Sequence, residues 1–254
     1  VTLLALLCVA AAARAAGPGG GAAPRPGLNL SAPSPLGPGV QALALGASFR
    51  GNYPALGAAF AEGMPGGLEV AGAGRFAHAR VDWPGAGGRY DADDFQAALR
   101  WGAPVPGGSV SGGVTLSAGL TRGYARVRLD DGRYAFARDR AVWGEFAAGA
   151  GRLAGGRGTV AERYVRDTGT RTSVHATVFG LESPAWNRAS ILAEVGVFLA
   201  NPRKWKTPWA AGLRLPAGEQ AFDVFVASTP GWTVPGSLQG GRDLVYAGRL
   251  ILAM

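Results

Sequence analysis

Histidine is the side chain that most often carries acid–base or metal chemistry near neutral pH, and this chain of 254 residues has two, His78 and His175. A serine nucleophile would need one of these bases beside it. His78 is followed by an Ala-Arg pair and His175 by an Ala-Thr pair, so neither is followed by a serine. The sequence therefore predicts no catalytic residue and no enzymatic activity, and His175 is interpreted as a hydrogen-bonded residue on an inward, polar strand face.

Glycine-rich and acidic stretches give no binding motif either. The Gly-Gly-Arg-Gly run at residues 155–158 does not open a helix after a buried strand, which is the context that a phosphate loop needs. Asp91, Asp93 and Asp94 lack the glycine and the distant glutamate of a calcium loop. Cys8 is the only cysteine, so an internal disulfide or a cysteine-based metal site is excluded. The sequence therefore indicates neither a metal nor a cofactor.

The first sixteen residues have the pattern of a secretory signal peptide. Residues 1–13 are apolar except for Thr2, and Arg14 and a small-residue stretch follow them, like the hydrophobic core and cleavage region of such a peptide. Residues 17–38 are rich in Gly, Pro and Ala and predict an extended leader. The folded domain is therefore predicted over residues 39–254 of an exported protein.

The formal charge of the chain is +8, and arginine carries it because Lys204 and Lys206 are the only lysines. A basic balance fits a nucleic acid, an anionic lipid or an anionic solute as partner. The arginines are scattered along the chain rather than gathered on one helix or patch. That distribution argues against a nucleic-acid partner.

Apolar and polar residues alternate through most of residues 40–254. Leu116 and Leu120 alternate with Thr115, Ser117 and Thr121, and the windows 94–101, 222–226 and 243–252 behave similarly. In residues 171–178 the even positions form the apolar face and the odd positions the polar one. A period of two is that of a β-strand with two unlike faces.

Turn-forming residues between these windows set the strand boundaries. We predict about twelve strands, and an Asp-Asp-Gly turn at residues 130–132 joins the two longest. The predicted ranges are 40–50, 53–61, 67–79, 91–103, 109–129, 133–150, 158–166, 170–181, 188–200, 206–215, 219–229 and 242–254.

The polar strand faces help to choose between a closed barrel and a soluble sandwich. They carry mostly Ser, Thr, Gly and Ala, whereas a water-facing sheet usually carries many Lys and Glu. Small inward residues suit a barrel with limited room in its lumen. Short turns are expected at 63–66, 104–108, 151–157, 182–187 and 216–219, and longer connections at 80–90 and 230–241 on the opposite side. Short turns on one side and long loops on the other are typical of outer-membrane barrels.

With these features, aromatic residues near strand ends and a last strand over 246–254, the chain resembles bacterial outer-membrane β-barrel proteins across residues 40–254. The resemblance implies an all-β fold, an antiparallel up-and-down transmembrane β-barrel in the cell outer membrane. It also implies outer-membrane lipid and the barrel-assembly machinery as partners. The alternative is a secreted or periplasmic β-sandwich or lipocalin-like binding protein.

Charged residues on the polar strand faces remain as functional candidates. Inside a narrow lumen, such charges must pair or line water. An excess of arginine at a constriction would favour anions, so one hypothesis is a narrow channel for small anionic solutes. If the charges only fill the lumen, the protein is a structural or surface barrel. The predicted inward residues are Arg75, Arg100, Arg126, Arg128, Arg171 and Arg249, with Glu69, Glu145, Glu194 and Asp223 as acidic partners.

Overall fold

A computed structural model describes residues 36–50, 53–83, 86–105, 112–153, 156–185, 189–218, 220–229, 231–241 and 243–254. The predicted signal peptide and all but the last three residues of the predicted leader lie outside these described residues. The alternating segments of the sequence form strands over nearly all of the remainder.

Twelve strands are present in the described residues. Their bounds are β1 Gln41–Arg50, β2 Tyr53–Met64, β3 Leu68–Trp83, β4 Ala86–Val105, β5 Gly112–Arg128, β6 Tyr134–Leu153, β7 Gly156–Asp167, β8 Ser173–Pro184, β9 Ser190–Ala200, β10 Trp209–Ala217, β11 Gln220–Ala227 and β12 Val245–Ala253. A single 3-10 turn, Pro65–Gly67, and a five-residue α-helix, α1 Val234–Leu238, accompany them. Among the described residues, no helix has the length and apolar character needed to cross a membrane.

The strands form one closed antiparallel sheet. Each strand pairs with its neighbours in the chain, and β1 pairs with β12, from Ala42 opposite Ala253 to Arg50 opposite Val245. The predicted all-β, antiparallel, up-and-down barrel of about twelve strands is confirmed. A sandwich, which needs two packed sheets, is excluded by this closure.

The largest difference from the predicted boundaries lies between β3 and β4. Residues 80–90 were expected to form a loop, but the two strands stay in register from His78 opposite Asp91 to Trp83 opposite Ala86. That prediction was wrong because it relied on apolar alternation. A hairpin that continues past the apolar wall keeps its backbone hydrogen bonds without needing an apolar face.

Alternate residues of each strand point into the lumen and away from the barrel. The outward face carries a band of exposed apolar side chains, and Leu99 and Leu120 are each 63% exposed. Other members of this band are Leu56, Phe60, Phe95, Trp101, Leu116, Phe146, Phe179, Leu181, Val197, Leu199, Val224 and Tyr246. The hydrophobic face of the sheet is therefore turned outward, as contact with lipid requires.

The two faces of β8 are the reverse of the prediction. Val174, Ala176 and Val178 are buried inside the barrel, while Phe179 on the opposite face is exposed. His175 shares the outward face with Phe179 because the two lie an even number of residues apart. The period was right and the assignment of faces was not, since the lumen itself is apolar where α1 packs against β8.

The two ends of the barrel differ in their connections. At one end, which we call the short-turn end, the links include Pro65–Gly67 and the two residues 218–219. At the other, the long-loop end, residues 201–208 join β9 to β10 and residues 228–244 join β11 to β12. The predicted long connection at 230–241 is therefore present, and it includes the buried helix α1.

Replacement of Leu99, in the middle of the outward band, by arginine tests whether that band faces lipid. A charge at the middle of a bilayer costs a barrel about 2–4 kcal/mol, and less near the interfaces. We therefore expect Leu99→Arg to lower the free energy of unfolding in phospholipid vesicles, measured by urea titration. Asp130→Arg, which places the same side chain in an exposed turn, is the control and should change little. Equal losses in both variants would contradict a lipid-facing band.

Candidate functional site

The lumen is occupied by the segment that connects β11 to β12. All five residues of α1 are buried. Thr233 caps the helix, because its Oγ1 accepts a hydrogen bond from the Gly236 amide at 3.1 Å. The Val234 amide donates to Oε1 of Gln96 on β4 at 2.7 Å. The chain therefore folds back into the barrel and is attached to the wall from within.

Apolar packing holds α1 against the wall on the side of β6, β7 and β8. Val234 and Leu238 of the helix lie in a cluster with wall residues from four strands. These wall residues are Ala98, Trp143, Val165, Val174, Ala176 and Val178. The helix thus supplies part of the hydrophobic core of the barrel.

Trp232, just before α1, reaches the opposite wall. A Cβ built on Gly57 of β2 would overlap the indole ring of Trp232, and one on Gly46 of β1 would also meet it. These two glycines face each other across the β1–β2 pair. Because Gly46 and Gly57 have no side chains, they leave the space that Trp232 fills.

The β9–β10 connection covers the same region from the long-loop end. The Lys206 amide donates to the Gly240 carbonyl at 3.3 Å, so the two long connections touch. Asn201 holds the turn of this connection through its side-chain amide and Trp205, at 2.6 and 3.0 Å. The Trp205 side chain packs against the cluster around α1. Both long connections therefore contribute to closing the lumen.

A buried ion pair ties α1 to the centre of the wall. Arg163 of β7 donates from Nε to Oε2 of Glu145 on β6 at 2.6 Å, and from Nη1 to Oγ of Ser237 at 2.6 Å. Arg163 is 1% and Glu145 2% exposed. Charges this deeply buried need a partner and hydrogen bonds. Here the strands supply the pair, and α1 supplies a further acceptor.

A second buried pair lies nearer the short-turn end. Arg100 of β4 donates from Nη1 to Oε1 of Glu69 at 3.0 Å and from Nε to Oγ of Ser117 at 3.2 Å. The other oxygen of Glu69 accepts from the Leu36 amide at 3.1 Å. The segment before β1 thus meets the lumen wall at this carboxylate.

Asp223 of β11 is the centre of a third group. Arg214 of β10 donates to both of its oxygens at 2.8 and 2.9 Å, and Arg249 of β12 donates to Oδ2 at 2.7 Å. Glu182 lies 3.6 Å from Arg214, and Glu194 is buried on the neighbouring lumen face. Two arginines and three carboxylates therefore share this side of the lumen.

An open cavity lies above α1, toward the long-loop end. It encloses about 500 Å³, counting the solvent at its mouth, and Asp94, Asp139, Asp167 and Arg203 are among the residues that line it. Arg203 pairs with Asp167, while Arg75 pairs with Asp94 at 2.6 Å. Three aspartates and one arginine therefore line the cavity, so it is not a basic vestibule.

Three of the predicted inward arginines lie elsewhere. Arg126 is on the outward face of β5, where it pairs with Asp91 and lies 5.3 Å from the ring centroid of Tyr134. Arg128 is exposed two residues further along that face, and Arg171 is exposed in the β7–β8 turn with φ of 58°. The prediction placed them inward because it assigned the faces from local polarity.

The other predicted residues do lie on the lumen face. These are Arg75, Arg100, Arg249, Glu69, Glu145, Glu194 and Asp223. Sequence reasoning missed Arg163 and Arg214, the partners of Glu145 and Asp223, and it missed Arg203, which pairs with Asp167. Arg163 could have been found, because it shares its strand face with Ala161 and Val165. Whether any of these residues lines a conducting path stays a prediction.

Both histidines are on outward strand faces, so the inward placement predicted for His175 was wrong. His175 Nε2 lies 3.0 Å from Oε2 of Glu162, whose Oε1 accepts a hydrogen bond from Thr177 at 2.6 Å. His78 Nδ1 lies 2.7 Å from Oδ1 of Asp91. Within the described part of the chain, neither imidazole is hydrogen-bonded to a hydroxyl group. The absence of an enzymatic activity remains a prediction.

A closed antiparallel sheet with an outward apolar band and a lumen lined with ion pairs is the architecture of an outer-membrane β-barrel. The chain has the fold of this general class. No protein-family model matches it, and no curated protein matches its sequence.

Solved structures similar to this chain include two autotransporter domains and a porin. The translocator domain of the autotransporter NalP from Neisseria meningitidis matches with a TM-score of 0.46 and 14% identity, over 86% of this chain and 88% of that one. The β domain of a Bordetella autotransporter, BrkA, gives 0.38 and 15%, over 84% and 97%. A porin of Rh. blastica gives 0.30 and 11%, over 85% and 99%.

Removing one partner of the central ion pair should destabilise the barrel strongly. Arg163→Met keeps much of the side-chain volume but leaves Glu145 buried without its cation, a change that costs about 3–5 kcal/mol in protein interiors. We expect that loss in the free energy of unfolding, and partial recovery in the double variant Arg163→Met/Glu145→Leu. Arg171→Met, in an exposed turn, is the control. A double variant as unstable as the single one would contradict a paired role.

Proposed function

We propose that this protein is an outer-membrane barrel whose lumen is closed by its own β11–β12 segment. On this proposal it acts as a structural or surface barrel, rather than as a pore through which solutes diffuse freely. The observation that carries the proposal is the burial of all five residues of α1 inside the barrel. A wall of twelve strands leaves space along its axis, and a segment of the chain is needed to fill it.

The membrane placement is supported by the exposed apolar band and by sheet closure. In a bilayer core every backbone N–H and C=O must be paired within the protein, and closure of β1 onto β12 removes the unpaired edges. The long-loop end would face outward and the short-turn end the periplasm. Outer-membrane lipid and the barrel-assembly machinery are the partners that this placement requires.

An anion-selective channel, the more specific function considered from the sequence, is less well supported. The lumen arginines Arg75, Arg100, Arg163, Arg214 and Arg249 each contact a carboxylate. A pair of this kind has little net field with which to select an anion. If the segment leaves the lumen, we expect the opened path to discriminate only weakly between small anions and cations.

Conductance across a planar lipid bilayer tests the closed lumen directly. The full-length protein should show few or no stable open events. A variant in which residues 231–241 are replaced by a short Gly-Ser linker should conduct, because α1 and Trp232 are then gone. Replacement of residues 129–133, in the exposed β5–β6 turn, by a Gly-Ser segment of equal length is the control and should behave like the parent.

Heat-modifiable migration on gels should show that all three proteins form barrels. A linker variant that forms a barrel but stays closed would show that the segment is not the barrier. Steady conductance by the parent protein would overturn the proposal and support a constitutive channel.

A single methyl group offers a milder test of the same segment. Gly57→Ala places a Cβ where the indole of Trp232 lies, so we expect the tryptophan to be displaced and protease cleavage within residues 231–241 to accelerate. Gly74→Ala is the matched control, since its new Cβ would meet its nearest atom at 3.5 Å, an ordinary contact. Equal cleavage rates in the two variants would contradict a segment seated through Trp232.

A further inference from the structure

Four arginines that play no part in the lumen gather on the outward face of three adjacent strands. They are Arg122 on β5, Arg138 and Arg140 on β6, and Arg166 on β7, and all four are exposed. They share a face with Leu120 of the outward band and with the exposed Val142. We call these four residues the basic patch.

The register of the sheet brings these charges together. Arg122 lies directly opposite Arg140 in the β5–β6 pair. One step below on the same face, Leu120 lies opposite Val142, which in turn lies opposite Arg166. Like charges placed directly opposite each other on a sheet destabilise it. A bound anion between Arg122 and Arg140 would remove that repulsion.

Within the described part of the chain, no ion pair joins any of these four arginines to a carboxylate. Glu162, an outward carboxylate on β7, is bonded to His175 and Thr177 instead. Asp93 lies on the outward face of β4 opposite Tyr124, one position beyond the patch. By contrast, the surface arginines Arg126 and Arg133 both pair with aspartates. The four arginines of the basic patch therefore carry positive charge that no carboxylate of the described residues neutralises by an ion pair.

The position of the patch relative to the apolar band indicates what kind of anion fits. Along β5, the eight steps from Val114 to Arg122 rise about 20 Å, at about 3.3 Å a step and a tilt of about 40°, close to the height of about 25 Å of a barrel's apolar band. Phe95 lies directly opposite Arg122. The arginines therefore stand at the edge of the band, toward the long-loop end. A ligand there would contact apolar wall below and arginine above.

We propose that the basic patch binds the phosphate-bearing headgroup of an anionic lipid, with the acyl chains of that lipid lying against the band beneath. Arginine suits this ligand because its planar guanidinium donates paired hydrogen bonds to phosphate oxygens. Arg122 and Arg140 would share one phosphate group, and Arg138 and Arg166 would flank it. The inference rests on the membrane placement proposed above.

Native mass spectrometry of the full-length barrel in a neutral detergent tests the patch, with short-chain phosphatidic acid and short-chain phosphatidylcholine as probes. The parent protein should bind phosphatidic acid more tightly than phosphatidylcholine. In Arg122→Gln/Arg140→Gln, we expect the affinity for phosphatidic acid to fall about tenfold, equivalent to about 1.4 kcal/mol. Arg133→Gln/Arg157→Gln removes the same charge elsewhere on the barrel and should keep the parent affinity.

Two results would overturn the inference. Equal affinity of the parent and the patch variant for phosphatidic acid would show that these arginines do not hold the headgroup. Complete displacement of the lipid by an equal concentration of inorganic phosphate would show a site for the free ion, without any contribution from the acyl chains. Failure of the membrane placement would appear separately, as loss of heat-modifiable migration in phosphatidylcholine vesicles before any anionic lipid is added.

Discussion

The pairing of β1 with β12 is the constraint on which the rest of this structure depends. Once Ala42 lies opposite Ala253 and Arg50 opposite Val245, the sheet has no free edge. Each strand then has one face toward the lumen and one toward the surroundings. In a bilayer the outward face can be fully apolar only because closure has paired the backbone groups. The exposed band around Leu99 and Leu120 would be an aggregation hazard in water, and in lipid it contributes to stability.

Closure also creates a lumen that the wall residues do not fill. Many of them are small, and at Gly46 and Gly57 there is no side chain at all. The β11–β12 segment fills this space with Trp232 and α1. Ion pairs occupy the parts of the lumen where apolar side chains do not pack. The Arg163–Glu145 ion pair connects the wall with the segment, since Arg163 also donates a hydrogen bond to Ser237 of α1. Removal of the segment would therefore leave one donor of a buried arginine without its acceptor, which links the stability of the wall to the presence of the segment.

The strands could be predicted from the sequence because a period of two and the turn residues are local signals. The filling of the lumen could not. Val174, Ala176 and Val178 were predicted to face lipid because lumen residues were expected to be polar. No local signal in the sequence indicates that α1 packs against them. Arg163 and Ser237 are 74 residues apart, and Val234 and Gln96 are 138 apart. Such contacts exist only after closure. Similarly, the face of β5 on which Arg126 and Arg128 lie depends on the register of that strand, which a shift of one residue reverses.

The arginines of this barrel therefore form two populations with different physical roles. Inside, arginines are held by carboxylates at 2.6–3.0 Å in low-exposure surroundings, as in the pairs of Arg163 with Glu145 and Arg214 with Asp223. Such pairs add almost nothing to the net field of the molecule. The formal charge of +8 must then be expressed mainly by arginines and lysines outside the lumen. On β5, β6 and β7, four of the arginines outside the lumen stand beside the apolar band, so in the proposed membrane placement their charge would lie near the membrane surface rather than along the lumen.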